Sequence, residues 1–195
     1  MMMMMMRRIS LLLVLFAAPV LAAQAQLKLG VKAGVSYTTF TGSSLGAYKV
    51  GGHGGLVGNV LLNDFLSLQG EALISMKGDQ TRDLAVNIKN NLLYLDVPVL
   101  LKVHADGLFF EAGPQVGLLL AGKQKPGSDL NTKSQYRPID LGYVAGLGYQ
   151  WKSGPNLGLR YNGGIITAND PGAQNLFRRR NSAFQLYGGY IFGGW

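Results

Sequence analysis

Cysteine is absent from the 195 residues, which excludes a disulfide framework and an N-terminal cysteine available for lipidation. Histidine is scarce, with only His53 and His104. A hydrolytic site usually needs a histidine held by an acid beside a nucleophile or water, so two well-separated histidines leave little room for one. No cluster of His, Asp and Glu has metal-ligand spacing, and no cofactor motif is present. Gly51-Gly52-His53-Gly54-Gly55 shares only its glycine content with a phosphate loop, because no Lys-Ser or Lys-Thr pair follows it. Acids are few as well, 10 against 18 Lys and Arg, for a formal charge of +8. Long apolar runs are missing beyond the first 20 residues.

That one run has a specific form. Arg7 and Arg8 precede an apolar stretch from Ile9 to Val20, and Ala23-Gln24-Ala25 places small residues where a signal peptidase reads them. Residues 1–25 are expected to be a secretory signal, with cleavage before Gln26. The stretch falls short of the roughly 20 residues a spanning helix needs. Removing Arg7 and Arg8 takes the charge from +8 to +6. An exported chain rarely meets nucleic acid, so the excess of base points to lipid headgroups or an anionic glycan.

Residues 26–195 form one domain with no linker. What fills it is alternation. Ile139, Leu141, Tyr143, Ala145, Leu147, Tyr149 and Trp151 recur at every second position, as do Leu157, Leu159, Tyr161 and Ile165, and then Phe184, Leu186, Tyr190 and Phe192, with polar residues or glycines in many of the gaps. This period of two predicts strands with one apolar face. Earlier strands are expected over 27–39, 52–62, from just after Asn63-Asp64 to Met76, 91–104 and 108–121. Asn63-Asp64, Ala105-Asp106-Gly107 and Lys152-Ser153-Gly154-Pro155 read as tight turns. The segments 40–50, 77–90, 122–137 and 168–181 read as long loops. Four long loops alternating with three short turns, with both termini on the short-turn side, is the asymmetry of bacterial outer-membrane barrels. The expectation is an all-β, eight-stranded antiparallel transmembrane up-and-down barrel in the outer membrane, with both mature termini periplasmic. Strand glycines suit its tight curvature. Pro98 and Pro114 cannot donate to a ladder, so bulges are expected at both.

The polar face then predicts the lumen: Lys28, Lys32, Asn59, Gln69, Glu71, Asp96, Lys102, Glu111, Gln115, Asp140, Arg160, Asn162 and Gln185. Its charge network of four bases (Lys28, Lys32, Lys102, Arg160) and four acids (Glu71, Asp96, Glu111, Asp140) is balanced. Buried charges are tolerated when paired, and an eight-stranded barrel is just wide enough for side chains to fill. A salt-bridged plug follows. His53 and His104 fall at opposite ends of the barrel. Tyr37, Tyr143, Tyr149, Trp151, Tyr161, Tyr190, Phe192 and Trp195 read as interfacial girdles.

Tyr94-Leu95-Asp96-Val97-Pro98-Val99-Leu100-Leu101-Lys102, Phe110-Glu111-Ala112-Gly113-Pro114-Gln115-Val116-Gly117, Arg160-Tyr161-Asn162-Gly163-Gly164 and Phe184 to Phe192 resemble the strand signatures of the PorT-like outer-membrane β-barrel family of Bacteroidetes. The resemblance spans essentially the whole mature chain and includes both prolines. It implies an eight-stranded outer-membrane barrel and raises the reading of an accessory to a protein secretion system. It departs at the C-terminus, where Gly193-Gly194 separate the last alternating aromatics from Trp195. The remaining functional signal is in the loops. Lys123, Lys125, Lys133 and Arg137 face one acid, Asp129, and Arg178, Arg179 and Arg180 have only Asp170 nearby. Clustered cations suit phosphate or carboxylate. The function expected is therefore non-enzymatic, structural or surface-interacting, with a narrow channel as the alternative. The expected partners are outer-membrane lipid and lipopolysaccharide, the barrel assembly machinery during insertion, and an anionic glycan or protein.

Overall fold

The computed structural model describes residues 27–41, 46–78, 80–82, 87–125, 137–166 and 180–194. The expected signal segment, residues 1–25, lies outside them. Alternating residues form eight long strands: β1 (Leu27–Thr41), β3 (Lys49–Asn63), β4 (Leu66–Lys77), β6 (Asn87–Ala105), β7 (Leu108–Lys125), β8 (Ile139–Gln150), β9 (Pro155–Gly164) and β10 (Arg180–Ile191). Two short pieces, β2 (Gly46–Ala47) and β5 (Gln80–Arg82), pair with each other, and β5 also pairs with β6. Each long strand pairs antiparallel with its neighbours in sequence, and β1 pairs with β10, so the sheet closes on itself. Closure leaves the eight long strands no open edge for lipid to meet, which a bilayer requires of any strand-built span.

The period-two pattern has a direct spatial outcome. Leu159 is 56% exposed on the outer wall while the next residue, Arg160, is 3% exposed inside. The same contrast repeats through β4, where Ser67, Gln69, Glu71, Leu73, Ser75 and Lys77 are buried and Leu68, Ile74 and Met76 face out. Aromatics collect in two tiers. Tyr37 stacks on Tyr48, and Tyr143, Tyr161 and Phe184 cluster in the long-loop half. Tyr149 with Trp151, and Tyr190 with Phe192, sit at the short-turn end.

The turns conform to their residues. Asp106 and Gly107 both have positive φ, 49° and 88°, as the two-residue hairpin turn demands. The first turn is displaced by one residue from its expected place: Asn63 ends β3, and Asp64 and Phe65 turn, with the Phe65 amide donating to Asn63 Oδ1 at 3.1 Å.

The expected proline bulges do not form. Along β4 and β6 the register runs from Gly70↔Val99 to Leu73↔Asp96 without a shift, and only the rungs beside Pro98 are missing. Between β6 and β7 it runs from Pro98↔Gln115 to Leu101↔Ala112, with the rungs beside Pro114 missing. A proline removes one donor on one side of a strand, and here the ladder on the other side carries the register across. The register shifts instead at Leu61/Asn63 and Leu93/Tyr94.

Several strands outrun the expected boundaries. Lys77 ends β4 rather than opening a loop, and Lys123 and Lys125 lie in β7. β6 and β7 reach 19 and 18 residues, well beyond the roughly 9–11 that cross a bilayer, and stay paired as far as Lys89↔Lys125. Backbone pairing, once begun, costs little to extend past the membrane even where the residues turn polar.

Candidate functional site: a charge network filling the lumen

Arg160 of β9 organises the middle of the barrel. Its Nη1 and Nη2 donate to Glu71 of β4 at 2.8 and 2.9 Å, and its Nε donates to Glu111 of β7 at 2.9 Å. One planar guanidinium with five donors can hold two carboxylates from different walls, a geometry lysine lacks. Lys32 of β1 donates to Glu71 at 2.6 Å, Gln69 donates to the same carboxylate at 2.5 Å, and Lys102 of β6 lies 3.7 Å from Glu111. The side chains of Arg160, Glu71 and Glu111 are wholly shielded from solvent.

Tyr187 of β10 completes this cluster, although the sequence reading had not placed it in the lumen. Its hydroxyl donates to Glu111 at 2.9 Å, and its ring lies 3.8 Å below the Lys32 ammonium and 4.9 Å from the Arg160 guanidinium. A Cβ added at Gly158 would fall 2.5 Å from the Tyr187 ring, so the glycine makes room for it. Alternation alone would have put residue 187 inside. Lys102 similarly sits 3.7 Å over the ring of Phe109.

A second cluster lies toward the long loops. Lys77 donates to Asp96 at 2.8 Å and is 3.5 Å from Asp140, which also accepts from Asn181 at 2.8 Å. Lys77 had been read as the start of a loop. Lys28, expected in the network, is half-buried at the opposite end and donates to the Gly194 carbonyl at 2.9 Å. Among the described residues the deeply buried charges are therefore Lys32, Lys77, Lys102 and Arg160 against Glu71, Asp96, Glu111 and Asp140. Lys77 stands in this set where the sequence pattern placed Lys28. Asn162 donates to Gln115 at 3.0 Å between the two clusters. The lumen also holds apolar groups the polar pattern did not announce: Leu92, Tyr94 and Leu119 pack together, and Leu73 and Leu100 are buried.

Each histidine meets a serine. His53 Nδ1 is 2.9 Å from Ser36 Oγ, which also accepts from Gln185 at 3.3 Å, and His104 Nε2 is 3.0 Å from Ser67 Oγ. Nε2 of His53 has no hydrogen-bond partner, so no acid orients that ring as a catalytic triad would require. Lys133, Arg178 and Arg179 lie outside the described residues. Arg137 precedes β8, and Arg180 opens β10 with an exposed side chain. Among the described residues no group of three or more His, Asp or Glu is placed to hold a metal.

Among solved structures the chain is similar to Neisserial surface protein A, at 15% identity over 83% of this chain and 96% of that one, with a TM-score of 0.54. It is also similar to Ail, the attachment invasion locus protein of Yersinia pestis, in complex with the heparin analogue sucrose octasulfate: 15% identity, 86% and 99% coverage, TM-score 0.51. The outer membrane enzyme PagL shares 14% identity over 83% and 98%, with a TM-score of 0.45. At such identities the likeness is one of fold. No curated protein matches the chain. Residues 22–168 match the model of the outer membrane protein beta-barrel domain, and with a closed eight-stranded sheet that is apolar outside and charged within, the chain belongs to that family.

Proposed function

We propose that this protein is a closed, non-enzymatic outer-membrane barrel that anchors its long basic loops at the cell surface, where they contact anionic glycans or a partner protein. The observation that carries the reading is the single guanidinium of Arg160 bridging Glu71 and Glu111 across the lumen, with all three side chains shielded from solvent. A conducting path needs continuous water. The cavity among Lys77, Gln115, Asp140 and Asn162 has about 10 Å³, about the volume that holds one water. In this reading residues 1–25 are removed as a signal, the short turns and both termini are periplasmic, and the loops carrying Lys133, Arg137, Arg178 and Arg179 face outward. The PorT-like resemblance is supported by the adjacency of its two main motifs, which face each other from Pro98↔Gln115 to Lys102↔Glu111 on β6 and β7.

Planar-bilayer recording of the refolded mature chain tests the closed lumen. The expected record is silent for protein that migrates as an intact barrel on an unboiled gel, and reproducible conductance steps would overturn it. Replacing Lys133, Arg137, Arg178 and Arg179 with Ser is expected to abolish salt-sensitive retention on immobilised heparin. Unchanged retention would remove the loops from the reading.

A further inference from the structure

The outer wall is not uniformly convex. A groove of about 520 Å³ runs across its long-loop half, lined by Val35 and Tyr37 of β1, Ala145 of β8, Leu159 of β9, and Phe184 and Leu186 of β10. Its floor follows from register. Ala145, a lining residue, lies between Ala112 and Tyr161, and Val35 lies opposite Gly52, so small residues lower the wall beside larger ones. Aromatics raise its upper margin: Tyr161 packs on Phe184 with ring centroids 5.0 Å apart, and the Tyr161 hydroxyl is bound by Ser182 at 3.2 Å.

Above this margin stands a cation. Arg180 shares the outward parity of Phe184 and Leu186 on β10 and is exposed. Four residues at about 3.3 Å each put it roughly 13 Å beyond Phe184 toward the long loops. The order from mid-membrane outward is thus apolar trough, aromatic and hydroxyl margin, guanidinium. That sequence complements an amphiphile with acyl chains below and an anionic headgroup above.

We propose that this groove and Arg180 form a binding site for a phosphorylated, multiply acylated glycolipid of the leaflet on the long-loop side, its chains in the trough and a phosphate on Arg180. Bulk lipid touches any outer wall, but a trough contacts a chain on several sides and so gains dispersion contacts that a flat wall does not offer. Guanidinium and phosphate add a charge-assisted, bidentate pairing. The groove reaches from β8 through β9, β10 and β1 to Val50 of β3, five strands that cover about 19 Å at the usual strand spacing, which is broad enough for several chains side by side. A second copy of the barrel fits less well. A two-fold axis along the membrane normal would set the same face against itself and bring the two Arg180 side chains to the same height. The proposal rests on the outward orientation of the long loops proposed above and is independent of whether the lumen conducts.

The test uses the full mature protein in detergent, read by native mass spectrometry with bisphosphorylated lipid A, its dephosphorylated form and phosphatidylglycerol as probes. The expected result is one lipid A retained under conditions that strip the other two. Arg180→Ser is expected to weaken retention about tenfold, the size of one charge-assisted hydrogen bond. Ala145→Trp, which fills the trough, is expected to lower it at least as much, and Val97→Trp on another part of the wall to leave it unchanged. Equal retention of lipid A by the wild type and both site variants overturns the proposal, as does equal retention of phosphatidylglycerol, or a dimer that Ala145→Trp dissociates. Should Ala145→Trp fail to give an intact barrel on an unboiled gel, Arg180→Ser, a surface change, decides the outcome.

Discussion

Arg160 shows how one side chain can set the energetics of a barrel interior. It neutralises two carboxylates from strands that do not pair with each other, so removing it leaves the buried Glu71 and Glu111 with Lys32 and Lys102 as their nearby cations and with the neutral donors Gln69 and Tyr187. Breaking a buried ion pair by deleting one partner costs about 3–5 kcal/mol, whereas removing the charges together costs far less. Arg160→Met is therefore expected to lower the temperature at which the compact gel band converts to the unfolded one. The triple variant Arg160→Met, Glu71→Gln, Glu111→Gln is expected to recover most of that loss. Equal midpoints for the single variant and wild type would show that the network contributes nothing to stability.

At the level of elements, the β9–β10 pair combines backbone and side-chain requirements. Gly158 and Tyr187 are register partners, and the missing Cβ at 158 leaves the space that the Tyr187 ring fills. The ring has no easy retreat, because its hydroxyl is bound to Glu111. Gly158→Ala is expected to destabilise the barrel by about 1–3 kcal/mol, the range of overpacking in a filled core. Adding Tyr187→Leu should restore part of that stability, and urea titration of the heat-sensitive gel band measures both changes. If the single variant matches wild type, the glycine is not making room for the ring. The prolines teach a related lesson in β6 and β7: losing a donor removes rungs on one side without moving the register, since the opposite ladder remains intact.

For the whole molecule, closure imposes an orientation that can be read on cells. All described short turns and both strand termini, Leu27 and Ile191, lie at one end, and the long connections lie at the other. With the long loops outside, trypsin added to intact cells is expected to cut within 126–136 or 167–179 and to leave the short turn holding Lys152 untouched. Cleavage after Lys152 on intact cells would reverse the orientation. The long β6–β7 hairpin should then stand out beyond the membrane on the same side.

The sequence by itself determined the eight long strands, their inward and outward faces, the hairpin turns to within a residue and most of the charges of the lumen, because a period of two maps each residue to one side of a closed sheet. Leu159 and Arg160 were assigned to opposite faces from parity alone. Only the tertiary structure decided which charges meet. Glu71 and Arg160 are 89 positions apart, and no local pattern pairs them, since their approach depends on how eight strands curve around one axis. The same holds for Lys77, whose polar surroundings read as a loop until Asp96 and Asp140, brought from two other strands, drew it inside. It holds for the groove too, because its lining comes from β8, β9, β10, β1 and β3, which become neighbours only when the sheet closes through the β1–β10 pairing.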